Sequence, residues 1–151
     1  MTPDDWITRL TALGRDVRDA IARQRGQAGL GEPVAFEGGD TIYEIDKRVE
    51  PVILEHAERW AGEAGRLTLT AEGLGESGRL ELGQAAAPGG WHVLIDPIDG
   101  TRNIMYDKRS AWFLGAATPR LDRPPTLSDA VASVMIELPT SRAAAADEFS
   151  A

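Results

Sequence analysis

Cysteine is absent from these 151 residues, and histidine occurs only as His56 and His92. Without thiols there is no disulfide, no zinc–thiolate centre and no thiol nucleophile, and two imidazoles are too few for a histidine cage. Oxygen ligands are what remain for a metal. No apolar run approaches the roughly 20 residues that cross a bilayer, so the expectation is a soluble chain with no membrane partner. The start, Met1-Thr2-Pro3-Asp4-Asp5, is acidic where a secretory signal is basic and has no apolar stretch behind it, which makes a cytoplasmic location the expectation. Cations are also in short supply: 16 Lys and Arg stand against 24 Asp and Glu, for a net charge of −8. That balance opposes polyanions, so nucleic acid is not an expected partner, and a phosphate substrate would need bound cations to reverse the local sign. What is present is ordinary globular composition, 42% hydrophobic and 26% charged, at a length that suits one domain with a real core.

Trp6, Leu10, Leu13, Val17 and Ile21 recur at helical spacing. Thr2 suits the cap, Pro3 the first turn, and Asp4 and Asp5 the dipole, so a helix is predicted from there to near Gly26. The stretch from Gly26 to Gly39 reads as a loop. A second helical pattern runs through Ile42, Ile45, Val49, Ile53, Ala57 and Trp60, and Pro51 should kink or restart it. The period then changes. Leu67 to Thr70 reads as a strand running into Ala71-Glu72-Gly73, the stretch Gly73 to Gly90 as loop or hairpin, and strands return at 91–95, 111–117 and 129–138. Helices first and strands afterwards predict an α+β domain, helices layered on an antiparallel sheet. The end, from Arg142 to Ala151, has alanine-rich helix propensity and no signal that finishes a domain. One domain spanning 1–151 is expected, with the look of a truncated one.

The chemistry concentrates in Asp96-Pro97-Ile98-Asp99-Gly100-Thr101, directly after the apolar strand Trp91 to Ile95. A strand end followed by a proline turn can bring Asp96, the Ile98 carbonyl and Asp99 into one small volume, an oxygen set that hard divalent cations prefer. Gly100 and Thr101 would then open a helical turn whose free N–H groups favour a phosphate. On the bare spacing, an Asp-Pro and Asp-Gly surface turn is the competing reading. An EF-hand fails, because Ile98 stands where an oxygen side chain is needed and Asp107 where the glutamate belongs. A haloacid-dehalogenase Asp-x-Asp fails because the two carboxylates are three residues apart.

Taken with Asp40 to Glu50 and Thr70-Ala71-Glu72-Gly73, the string Asp-Pro-Ile-Asp-Gly-Thr-x-Asn resembles the N-terminal half of the inositol monophosphatase superfamily of magnesium-dependent, lithium-sensitive phosphatases. The resemblance implies the layered fold of that group and of fructose bisphosphatases. It implies two or more Mg2+ ions held by Glu72, Asp96, the Ile98 carbonyl and Asp99. Catalysis would rest on Glu72, Asp46 and Thr101, with Asp46 and Thr101 orienting and deprotonating the attacking water. Phosphate would be met by Asp99, Gly100 and Thr101, and the substrate would be inositol phosphate or another small sugar phosphate, hydrolysed by metal-activated water without a phosphoenzyme. Lithium inhibition and a possible homodimer belong to the same expectation.

Three departures stand beside it. The family often has paired glutamates where this chain has Glu72-Gly73, which makes Glu76 an alternative ligand. Ala35 replaces a common lysine. The later Asp-x-Trp segment has no counterpart among Trp6, Trp60, Trp91 and Trp112, so this chain alone is expected to bind magnesium weakly and turn over little; the alternative is a non-catalytic remnant or interaction domain. Other features have plainer readings. Trp6, Trp60 and Trp112 suit the core, His92 a structural place in its strand, and Lys108 and Arg109 an exposed position, or else contact with phosphate or a partner subunit.

Overall fold

The computed structural model describes residues 1–25, 33–37, 40–72, 74, 77–86 and 89–151, with 33–37 and 40–42 as backbone. The first helix, α1 (Pro3–Gln24), starts as its sequence dictates. Thr2 Oγ1 accepts from the Asp5 amide at 3.2 Å while the Asp5 carboxylate accepts from the Thr2 amide at 2.7 Å, a reciprocal cap. Gly26, its expected end, lies outside the described residues. The next segment departs from the sequence reading: β1 (Pro33–Glu37) pairs antiparallel with β2 (Asp40–Tyr43) where a loop is predicted, and Gly38 and Gly39 lie outside the described residues. The second helix, α2 (Glu44–Ala64), consequently begins after Ile42 and runs unbroken past Pro51. It ends at Gly65, whose positive φ of 79° suits glycine and whose N–H returns to the Ala61 carbonyl at 3.0 Å.

Six further strands, β3 (Arg66–Ala71), β4 (Arg79–Gly83), β5 (Trp91–Asp99), β6 (Ala111–Pro119), β7 (Ala132–Leu138) and β8 (Glu148–Ser150), form one sheet in the order β4-β3-β5-β6-β7-β8. The architecture is α+β, as the order of elements predicts. One pairing differs from an antiparallel sheet: β3 and β5 run parallel, because the β4 hairpin folds back on the outer edge of β3 and returns the chain to its inner side. The alanine-rich end is not a helix: residues 141–147 are turn and irregular chain, and β8 follows them. Its backbone pairs with β7, and Glu148 is held by Arg15 at 2.6 Å and Arg18 at 3.0 Å, both on α1. No described helix is long and apolar enough to cross a membrane.

Strand alternation decides which face is covered. Leu67, Leu69, Val93, Ile95, Phe113, Val134, Ile136 and Leu138 are buried on the face that receives α1 and α2. The opposite face is less covered: Leu94 and Leu114 are half-buried, and Met135 and Phe149 are 42% and 56% exposed. Trp112 belongs to this face too, half-buried against the Phe149 ring at 6.0 Å rather than in the core.

α1 approaches the sheet closely at Gly14, where an added Cβ would stand 2.6 Å from Ile136 Cγ1 and 2.7 Å from Phe113 Cδ1. Gly14→Ala would gain about 1 kcal/mol of helix propensity and meet an overpacking cost of about 1–3 kcal/mol. Net destabilisation is expected in urea unfolding; a stabilised variant would mean that α1 sits farther out.

On β4, burial raises the Glu81 pKa, but hydrogen bonds from Arg79, Thr68 and Arg120 outweigh it and hold the carboxyl at about 2. A depressed folded pKa contributes stability above the ordinary value of 4.5 that is lost as pH falls toward 2, an effect kept small by 43% exposure. Glu81→Gln is expected to flatten the fall of unfolding free energy across that window in urea melts. An unchanged slope would remove Glu81 from the acid response.

Candidate metal and phosphate site

The site is built where β3 and β5 end side by side. Parallel pairing sets Ala71 opposite Ile95, so the turn carrying Glu72 and the strand position of Asp96 emerge together. Beyond Asp96, β5 does not turn away at Pro97 as predicted. It continues with a bulge: Asp96 faces Leu114 and Asp99 faces Trp112, so three steps on β5 match two on β6. Proline lacks the N–H that a regular central strand would need, and a bulge is where a sheet tolerates it. The extra residue re-aims the chain. Asp96 Oδ1 accepts from the Ile98 amide at 3.1 Å, and Gly100, at φ 91°, makes a left-handed step that a Cβ would strain before α3 (Thr101–Met105) begins.

Side chains from distant segments then converge. Thr101 Oγ1 lies 2.9 Å from the Ile98 carbonyl and 3.3 Å from Asp46 Oδ1, and donates its single proton between them. The other Asp46 oxygen accepts from the Tyr43 amide at 2.8 Å, capping α2 while holding the carboxylate toward β5. Burial pushes the Asp46 pKa up, against the hydrogen bonds from Tyr43 and Thr101 and the charge of Lys47, which lower it. Arg102 Nε donates to the Tyr43 hydroxyl at 2.8 Å, tying α3 to the end of β2.

The result is a cleft of about 430 Å3 lined by acidic Glu72, Asp96 and Asp99 together with Ile98, Gly100 and Thr101. A small recess beside it joins Asp46 to Glu72, Asp96 and Ile98. Every residue of the sequence-derived site is therefore at one of two adjoining depressions. Glu76, the alternative ligand, and Gly73 lie outside the described residues, as does the side chain of Ala35. Sequence reasoning missed Tyr43 and Arg102, which also line the cleft. Their available signal was position: Tyr43 immediately precedes α2, and Arg102 sits within the Gly-Thr-x-Asn string.

The donor chemistry fits a hard divalent cation, since carboxylates and a backbone carbonyl are all oxygen and a carbonyl accepting from Thr101 keeps a second lone pair. Among the described residues, however, no three carboxylate or imidazole side chains are gathered as a finished metal cage. The site is a lined cleft.

No family's sequence pattern matches the chain, and no curated protein does. Solved structures do. A fructose-1,6-bisphosphatase of Leishmania major in holo form superposes with TM-score 0.63 at 15% identity, over 95% of this chain and 45% of its own. The extragenic suppressor protein suhB of Bartonella henselae gives 0.59 at 14% identity, over 93% and 50%. A Pyrococcus horikoshii protein with similarities to inositol-1 monophosphatase gives 0.59 at 15%, over 99% and 52%. The chain has the α+β fold of inositol monophosphatase- and fructose bisphosphatase-like proteins, and it spans about half the length of these neighbours.

Proposed function

We propose that the acidic cleft is the metal- and phosphate-binding portion of a magnesium-dependent phosphomonoesterase acting on inositol phosphate or another small sugar phosphate. The observation that carries this reading is the meeting of Glu72, Asp96, Ile98 and Asp99 with Gly100 and Thr101 in one cleft. Phosphatases among the solved structures of the same fold support it. Glu72, Asp96, the Ile98 carbonyl and Asp99 would hold the cations. Bound there, magnesium would offset the phosphate's charge and make water a better nucleophile near neutral pH.

The chain's own groups then divide the work. Gly100 and Thr101 supply N–H groups to the phosphoryl oxygens and fix the ester in the cleft. Thr101 Oγ1 orients the attacking water, and Asp46 receives its proton through that hydroxyl. A carboxyl raised by burial is closer to the working pH of a general base than an ordinary aspartate. The new phosphorus–oxygen bond forms to water as the bond to the sugar oxygen breaks, and a proton returns to the departing alcohol. The lining on the sugar side would come from parts of the fold that this chain does not match. A cytoplasmic location and lithium inhibition belong to the same proposal.

A second reading is favoured by the lack of a finished cage among the described residues: a non-catalytic interaction domain that retains cation affinity. One experiment separates the two. Phosphate release from inositol monophosphate, fructose 1,6-bisphosphate and other sugar phosphates would be followed with and without magnesium. Magnesium-dependent release, however slow, that vanishes in Asp99→Asn supports the esterase; magnesium binding without release on any ester supports the second reading.

A further inference from the structure

A second cleft, also of about 430 Å3, lies between the β3–β4 hairpin, the start of β5 and the segment after β6. Its wall is stiffened by Pro119, Pro124 and Pro125, and its polar lining includes Thr68, Arg79, His92 and Arg120. The charges around it are unevenly matched. Arg123 is neutralised by a two-pronged bond to Asp129 at 2.6 and 2.7 Å, and Asp122 is exposed at the rim. At its β4 side, the lining residues Arg79, at 2.8 Å, and Arg120, at 3.3 Å, reach the carboxylate of Glu81 behind the wall, which Arg66 also approaches at 3.7 Å. Three cations therefore share one anion, in a chain whose net charge is −8.

The guanidinium groups also keep donors in reserve. A guanidinium has five N–H donors, and among the described residues Arg79 uses only Nη2 and Arg120 only Nη1 on protein partners. Both are anchored. Glu81 orients them from the strand side, and the Arg120 amide is fixed to the Gly90 carbonyl at 2.9 Å. His92, bonded to Thr70 Oγ1 at 2.9 Å, registers the local field: burial lowers its pKa, and Arg79 and Arg120 lower it further against the pull of Glu81.

We propose that this cleft is a second anion site, which binds the phosphoryl group of a small phosphate ester through Arg79 and Arg120. Two guanidiniums from different strand ends, each with unused N–H donors, suit a tetrahedral dianion, for which arginine forms charge-assisted bonds. A volume within the range of small-ligand sites leaves room for the rest of the molecule. The site does not depend on the proposed hydrolysis. His92 lies four residues before Asp96 on β5, about 13 Å along the strand, so the two clefts can be loaded and read separately.

The test is a titration of the isotope-labelled chain with inorganic phosphate, against chloride at matched ionic strength, reading the His92 ring. Saturable shifts are expected, with the His92 titration moving to higher pH as the dianion cancels the arginine field. Arg79→Gln with Arg120→Gln should weaken binding at least about tenfold, the loss of charge-assisted bonds. Glu81→Gln removes the competing charge while its amide oxygen still accepts from an arginine, and should tighten it, an opposite sign that damage to folding would not give. Asp99→Asn should leave this binding unchanged, whatever it does to the acidic cleft. A His92 ring indifferent to phosphate, or the same affinity in the arginine and Glu81 variants, would overturn the proposal.

Discussion

Trp6→Ala is expected to lower the free energy of unfolding by about 3–5 kcal/mol, the usual cost of emptying a large buried aromatic site. Trp6 is 0% exposed and meets the Trp60 ring edge-to-face at 5.4 Å and Trp91 at 5.3 Å. It therefore joins α1, α2 and β5 at one point, and its removal loosens both helices from the sheet. Against an ordinary stability of about 5–15 kcal/mol, such a loss brings the chain close to unfolding. The indole Nε1 is buried with no hydrogen-bond partner among the described residues, which carries a desolvation cost of its own. Trp6→Phe drops that N–H while keeping a ring, and should cost far less than alanine. Urea unfolding of both variants checks the pair; an alanine cost below about 1 kcal/mol would mean that the tryptophan cluster does not seat α1.

Asp99→Asn is expected to act in the opposite way, on binding rather than on folding. Asp99 is an exposed side chain after the bulge, so unfolding free energy should stay within about 0.5 kcal/mol of the parent. An amide in place of a carboxylate removes a charge from the proposed hard-cation ligand set, and even outer-shell changes cost about 10–100-fold in metal affinity. A loss of at least that size is expected in calorimetric titration with magnesium. Equal damage to stability and to affinity would assign Asp99 a structural role.

The sequence is most informative where local rules act alone. Thr2, Pro3 and the apolar period define α1 because its cap closes within four residues and its buried face follows directly from spacing. The end of β5 is legible as chemistry because Asp96, Ile98, Asp99 and Gly100 are neighbours along the chain. Long-range contacts hide the rest. β8 forms because Glu148 meets Arg15 and Arg18 from the other end of the chain, a pairing that no alanine-rich window announces. Pro97 reads as a turn in isolation, and only the register against β6 reveals a bulge. The Asp46 to Thr101 bond joins residues 55 apart, so Asp46 alone reads as a solvated helix acid and enters the site only through resemblance. The arginines around Glu81 are scattered over β3, β4 and the end of β6, and no motif connects them.

The most direct measurement is a magnesium titration followed by backbone amide resonances of the parent chain and of Asp96→Asn. Saturable shifts centred on Glu72, Ile98, Asp99, Gly100 and Thr101 in the parent, and lost in the variant, are predicted. Shifts spread over the acidic surface without saturation, or an Asp96→Asn response equal to the parent's, would contradict the assignment of this cleft to a bound cation.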